Sequence, residues 1–160
     1  MFRAVLFSSL IVSTALARPA SDSSFSDENA VMREVSSELQ ICSAYDAVMS
    51  RCMGQQEPRV SVGYDKSATN LERLARDNKY SLGQSPEAYG VQSEIYRDAM
   101  LKATSNCANL AILEQRYATF CQRLEVNVDG RVREWTSCVR GNEKSCGRPG
   151  GASSAIASPP

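Results

Sequence analysis

The sequence predicts an all-α domain, in which four to five helices form a bundle-like arrangement held by three disulfides and flanked by disordered tails. Three observations support this prediction. Apolar residues recur at steps of three and four through most of the chain, which is the period of an amphipathic helix. Six cysteines follow an apolar leader, and an even number of cysteines in a secreted chain indicates disulfides. Both ends are rich in small and polar residues that cannot form a packed core.

The first 17 residues have the features of a secretory signal peptide. Arg3 precedes an apolar run, and Ala15 and Ala17 supply the small residues of a cleavage site. The run is shorter than the roughly 20 residues that a membrane-spanning helix needs. We therefore expect residues 1–17 to be removed, the protein to be secreted into the extracellular space, and no membrane insertion.

Residues 18–26 are expected to be a flexible N-terminal tail, and the Gly/Ser/Pro/Ala-rich residues 147–160 a disordered C-terminal tail. Between them, residues 27–146 form the predicted helical, disulfide-rich domain. Its first helix is expected to begin at Ser26, a residue type that caps helices, and to end at Gly54. The apolar stripe of this helix consists of Met32, Val35, Leu39, Cys42, Tyr45, Met49 and Cys52.

The middle of the domain contains two further predicted helices. Residues 55–66 are expected to be a loop, because Pro58 and Gly63 interrupt them. A short helix is then expected to begin at Ser67. The Ser-Pro-Glu sequence at 85–87 predicts the start of a third helix, since it combines a capping hydroxyl with a proline and an acid in the first turn.

The last third of the domain contains the most regular apolar pattern. A helix over residues 107–124 is predicted, with residues 105–106 as a candidate break before it. Its stripe consists of Cys107, Leu110, Leu113, Tyr117, Cys121 and Leu124. The Asp-Gly pair at 129–130 predicts a turn, and a short last helix through Trp135 is expected to follow it.

Helix geometry restricts how the cysteines can pair. Cys42 and Cys52 are ten residues apart on one predicted helix, which separates them by roughly 15 Å. Bonded cysteines have Cα atoms about 5.5 Å apart, so a 42–52 disulfide is excluded, and the same argument excludes 107–121. Cys138 and Cys146 are expected to pair across a turn. The other four then join as 42–107 with 52–121, or as 42–121 with 52–107, and the sequence leaves both open.

The composition removes most catalytic mechanisms. The chain has no histidine, which excludes Ser-His-Asp and Cys-His machinery and histidine-containing zinc sites. Neither a C-x-x-C pair nor a glycine-rich phosphate loop occurs, so no metal and no cofactor is expected. The 18 basic and 18 acidic side chains balance, so no nucleic-acid partner is expected. The acids, Glu38 among them, lie on predicted polar helix faces, which favours solvated surface over a carboxylate-based enzyme.

These features favour a secreted, non-enzymatic binding or interaction protein with an extracellular protein partner, in a signalling-like or matrix-like role. The candidate contact residues are Arg131, Arg133 and Arg140 beside Trp135, the only tryptophan. Trp135 is also suited to anchoring the last helix in the core. The alternative function is a carrier of a small hydrophobic ligand between the helices, and a small carboxylate-based enzyme is the least favoured. The residues proposed to line an adaptable carrier pocket are Met32, Met49, Met53 and Met100.

Overall fold

The computed structural model describes residues 22–81 and 84–141. These residues contain helices and no strand, which confirms the predicted all-α class. The helices are α1 (Asp22–Met53), α2 (Pro58–Arg76), α3 (Asn78–Ser81), α4 (Pro86–Ala103), α5 (Ala111–Leu113), α6 (Thr119–Val126) and α7 (Val128–Val139). A π-helical turn, Glu114–Ala118, joins α5 to α6. The predicted signal peptide at 1–17 and the predicted tail at 147–160 lie outside the described residues.

α1 is the central helix, and it packs against α2, α3, α4, α6 and α7. Its predicted apolar stripe is largely buried, with Val35, Leu39, Cys42, Tyr45 and Met49 all inaccessible or nearly so. The face predicted to be polar is buried as well, because other helices cover that side. The buried polar residues of α1 are Ser36, Glu38, Gln40, Ser43 and Asp46. These buried polar groups position the candidate sites described below.

α1 begins at Asp22, four residues before the predicted start at Ser26. Its first turns therefore occupy part of the segment 18–26 that was expected to be a flexible tail. No proline or glycine occurs at residues 22–26, so nothing in the local sequence stops the helix from extending towards the N-terminus. At the other end α1 stops at Met53, directly before Gly54, as predicted.

The prediction of a loop over residues 55–66 is wrong, because α2 begins at Pro58. Proline is favoured in the first turn of a helix, where its missing N–H group has no intrahelical acceptor in any case. Pro58 therefore starts a helix here instead of interrupting one. The residues that α2 buries are Ala68, Leu71 and Ala75.

α4 starts where the sequence predicts. The Ser85 Oγ accepts a hydrogen bond from the Ala88 N–H at 3.2 Å, and Pro86 occupies the first turn. The helix ends in a Schellman motif, in which the Asn106 N–H donates to the Leu101 carbonyl at 2.8 Å. The second bond of the motif joins the Ser105 N–H to the Lys102 carbonyl at 3.1 Å.

The break predicted at residues 105–106 is confirmed by a left-handed backbone. Ser105, Asn106 and Cys107 have φ values of 50°, 53° and 76°. The prediction of a continuous helix over 107–124 is wrong in its first part, because residues 104–110 form turns and α5 begins only at Ala111. The physical reason is that three successive left-handed residues cannot belong to a right-handed helix.

Two disulfides join α1 to the segment that follows α4. Cys42 bonds Cys121 with a Cα–Cα distance of 5.2 Å, and Cys52 bonds Cys107 at 5.4 Å. This pairing is one of the two that the sequence left open, and it means that the chain from Cys107 to Cys121 runs antiparallel to α1. The expected Cys138–Cys146 pair falls partly outside the described residues, so it stays a prediction.

The Asp-Gly pair at 129–130 belongs to the first turn of α7, so the predicted turn is wrong. Asn127 caps the helix, and its Oδ1 accepts a hydrogen bond from the Gly130 N–H at 2.9 Å. A β-carbon at Gly130 would lie 2.3 Å from the Asn127 Nδ2, so the cap requires glycine there unless its amide moves. Asp129 binds the Lys79 Nζ at 2.5 Å and the Tyr80 hydroxyl at 3.2 Å, which fastens α3 to the start of α7.

Candidate functional site

The structure divides the four predicted contact residues between the two sides of α7. Arg131 is only 10% exposed at its side chain, and Trp135 is buried against α1. Arg133 and Arg140 are exposed. The surface that a partner can reach on α7 therefore contains Arg133 and Arg140. Arg131 and Trp135 belong to the interior.

The inner side of α7 holds a buried charge network centred on Glu38. Arg131 donates to both carboxylate oxygens, from Nε to Oε2 at 2.8 Å and from Nη2 to Oε1 at 2.6 Å. The Trp135 Nε1 donates to the same Oε1 at 3.1 Å. A second acid, Glu134, accepts from the Arg131 Nη1 at 2.7 Å from a more exposed position. The network fixes the rotation of α7 on α1.

The network has the electrostatics of a structural ion pair. Burial raises the pKa of Glu38 above its ordinary value, while the hydrogen bonds and charge of Arg131 act in the opposite direction. The hydrogen bond to Glu38 raises the pKa of Arg131 further. The Arg131 guanidinium also lies over the rings of Phe120 and Trp135, at 5.4 and 5.1 Å from their centres. No local sequence pattern indicates this pairing, because the two charged residues are 93 positions apart.

The outer side of α7 carries an open groove of about 420 Å³. Its lining residues are Arg133, Thr136, Ser137 and Arg140. They follow the i, i+3, i+4, i+7 spacing that places side chains on one face of a helix. The two arginines are two helical turns apart, about 10 Å along the axis. The groove therefore presents two cations at its ends and two hydroxyls between them.

Within residues 22–81 and 84–141, neither the Arg133 nor the Arg140 guanidinium makes a hydrogen bond or a salt bridge. The neighbouring acid in the sequence, Glu134, accepts a hydrogen bond from Arg131 at 2.7 Å. The hydrogen bond from Lys79 is the main cause that lowers the pKa of Asp129, and the charge of Arg133 adds a smaller contribution. The close partner of Asp129 is therefore Lys79. Free guanidinium groups have planar forks of donors that match carboxylates. The groove is therefore chemically suited to an anionic partner.

A second cluster, which the sequence did not indicate, joins α1, α2 and α6. The Ser67 Oγ lies 2.5 Å from the Asp46 Oδ2 and 2.9 Å from the Glu125 Oε2. A serine hydroxyl has one proton to donate, so it can satisfy only one of the two carboxylates. Ser67 was predicted to start a helix, but it lies inside α2 and faces both acids.

Asp46 titrates abnormally in this cluster. Its burial raises its pKa from 3.8 to about 6, with a further contribution from the charge of Glu125, although the hydrogen bond from Ser67 acts in the opposite direction. The carboxyl is thus neutral at mildly acidic pH and charged at higher pH. Protonated Asp46 can donate to Ser67, which frees the serine proton for Glu125.

The methionines and tyrosines of the domain mostly serve its packing. Met49 and Met100 are buried in the core, and Met32 and Met53 pack against it at its edge. The central aromatic contact is between Tyr45 and Tyr117, whose ring centres are 5.9 Å apart. These positions place the proposed carrier-pocket methionines among packed side chains.

The part of the chain that the structure describes has no helix both long and apolar enough to cross a membrane. It also has no group of three or more His, Cys, Asp or Glu side chains arranged to hold a metal ion. Comparisons with protein-family models, with curated proteins and with solved structures find no match to this chain. The functional argument therefore depends on the geometry of its own residues.

Proposed function

We propose that this chain is a secreted, non-enzymatic binding protein whose contact surface is the outer face of α7, and that its partner is an extracellular protein with an acidic surface. The observation that carries this proposal is the groove between Arg133 and Arg140. Both arginines are exposed, both face the same groove, and neither has a hydrogen-bonded partner among the described residues.

Two spaced guanidinium groups select for two spaced carboxylates. Each can form a bidentate pair with an Asp or Glu side chain, and the hydroxyls of Thr136 and Ser137 lie between them. The network of Glu38, Arg131 and Trp135 holds the inner face of α7 against α1. A helix that is already fixed loses less conformational freedom on binding, so the outer face is preorganised for its partner.

Secretion is the second part of the proposal. Disulfides persist in oxidising compartments, and the two pairs on α1 are consistent with an extracellular location. We include a third disulfide, Cys138–Cys146, in the proposal. It would tie the chain that follows Arg140 back to α7 and so restrict the edge of the groove.

The test measures binding to an immobilised acidic peptide of alternating Glu and Gly residues. The double variant Arg133→Glu/Arg140→Glu is compared with Arg59→Glu/Arg123→Glu, a matched control that makes the same charge change at exposed arginines on α2 and α6. We expect the wild-type association rate to fall as salt rises, because exposed charges act mainly on encounter. The groove variant should associate at least tenfold more slowly at low salt, whereas the control should stay within threefold.

Equal losses in the two double variants would contradict the proposal, since they would show a response to net charge without a site. A small hydrophobic molecule that co-purifies with the protein, detected by native mass spectrometry, would favour the carrier alternative instead.

A further inference from the structure

The two disulfides of the described residues differ in their access to solvent. Cys42 and Cys121 are 0% and 2% exposed, and both lie within helices. Cys52 and Cys107 are only half-buried. Cys52 lies in the last turn of α1, and Cys107 lies in the turn that follows α4. The second pair therefore lies at more exposed residues than the first, which favours attack by a dissolved thiol there.

The backbone at Cys107 is also strained. The positive φ of Ser105 is explained by the Schellman motif, which needs a left-handed residue at that position. Asparagine tolerates the left-handed conformation better than most residues, which explains the positive φ of Asn106. Cys107 has a φ of 76°, although it has no such tolerance and no place in the Schellman motif that requires positive φ. Its N–H makes only a long contact of 3.4 Å with the Thr104 Oγ1.

The disulfide is the bond that fixes Cys107 beside the end of α1. A left-handed conformation lowers the population of a residue other than glycine by about tenfold. A disulfide that depends on such a conformation is easier to open than one between two ordinary helices, because its reduction lets the backbone return to a favoured region. Access and strain thus single out the same pair.

We propose that Cys52–Cys107 is a thiol-exchange site, at which a dithiol reductant opens one disulfide of the folded protein and leaves Cys42–Cys121 intact. A thiolate of the reductant attacks one sulfur of the pair, which breaks the S–S bond, forms a mixed disulfide and releases the other cysteine as a thiolate. The second thiol of the reductant, as its thiolate, then displaces the protein sulfur. The protein gains two thiols after proton uptake, and the dithiol is oxidised to its own disulfide.

The structural consequence of this exchange is local. Opening the pair detaches the 104–110 turn from the end of α1, while Cys42–Cys121 still joins α1 to α6. The outer groove of α7 is formed by different residues, so the thiol-exchange site is independent of the proposed contact surface.

The first experiment treats the folded full-length secreted protein with dithiothreitol at neutral pH for increasing times. Free thiols are blocked with iodoacetamide, the remaining disulfides are reduced and labelled with a second reagent, and each cysteine is quantified by mass spectrometry. We expect Cys52 and Cys107 to be blocked at least tenfold faster than Cys42 and Cys121. Equal rates, or faster reduction of the Cys42–Cys121 pair, would overturn the proposal.

The second experiment tests the strain at Cys107 itself. The three-bond HN–Hα coupling and the intraresidue HN–Hα nuclear Overhauser effect of Cys107 report its φ, and both are recorded for the wild type and for Cys52→Ser, which lacks the disulfide. We expect Cys107 to move from positive to negative φ in the variant, because the left-handed conformation is unfavourable for a residue other than glycine. Ser105 is the internal control and should keep its positive φ, because the Schellman hydrogen bonds hold it without the disulfide. A positive φ that persists at Cys107 in Cys52→Ser would overturn the strained turn as the cause.

Discussion

Replacing Arg131 with methionine should destabilise the protein far more than replacing another arginine of α7. Methionine keeps much of the length of the arginine side chain but removes its charge and its donors. The side chain of Glu38 is 3% exposed, so the substitution leaves a carboxylate buried without its cation. It also removes the two short bonds that Arg131 donates to this carboxylate.

The magnitude follows from this burial. Removing one partner of a buried ion pair costs about 3–5 kcal/mol, most of it the penalty of the unpaired charge. The second substitution Glu38→Gln removes that charge and keeps a carbonyl oxygen that can accept from the Trp135 Nε1. The double variant Arg131→Met/Glu38→Gln should therefore recover roughly half of the loss, or about 2 kcal/mol.

The assay is urea unfolding followed by tryptophan fluorescence. Trp135 is the only tryptophan of the chain and belongs to the network, so its emission reports directly on this region. Arg133→Met is the matched control, because it removes an exposed arginine from the same helix and should cost less than 1 kcal/mol, as is usual for surface substitutions. If Arg131→Met costs no more than Arg133→Met, or if the double variant is less stable than the single one, the reasoning fails.

Two further predictions concern the Asp46 cluster and the cap of α4. The pKa of Asp46 is raised to about 6, so the stability it contributes is present below pH 4 and is lost as pH rises through about 6. The wild type should lose about 2–3 kcal/mol of unfolding free energy over this range relative to Asp46→Asn. The exposed control Asp98→Asn should follow the pH profile of the wild type. Parallel pH profiles for the wild type and Asp46→Asn would contradict this prediction. Ser85→Ala should cost about 1 kcal/mol in thermal or urea unfolding, because the Ala88 N–H loses its acceptor, and no loss would show that the cap does not contribute.

The features that the sequence predicted well are those set by neighbouring residues. The start of α4 is encoded by the capping hydroxyl of Ser85 and the proline that follows it, and both act within one turn. The end of α1 before Gly54 has the same local origin. Pro58 shows the limit of such signals, since a proline marks a loop and the first turn of a helix equally well, and α2 has no side-chain cap to decide between them.

The features that the sequence did not predict depend on distant contacts. The choice of Cys42–Cys121 over Cys42–Cys107 is set by the direction in which the later segment runs along α1, which no local pattern encodes. Glu38 looked like a solvent-facing acid because its partner Arg131 is far away in the chain. The same contact divides the predicted basic patch, since it draws Arg131 inward and leaves Arg133 and Arg140 outside.

The most direct test of the proposed contact surface is to observe the arginine side chains while a partner binds. Titrating the ¹⁵N-labelled protein with the soluble Glu/Gly peptide and recording the Nε–Hε signals of its arginines separates the groove from the rest of the surface. We predict that the signals of Arg133 and Arg140 shift together and saturate at one affinity, while those of Arg59 and Arg123 stay in place. Shifts of equal size at all exposed arginines, or none at Arg133 and Arg140, would contradict a binding site on the outer face of α7.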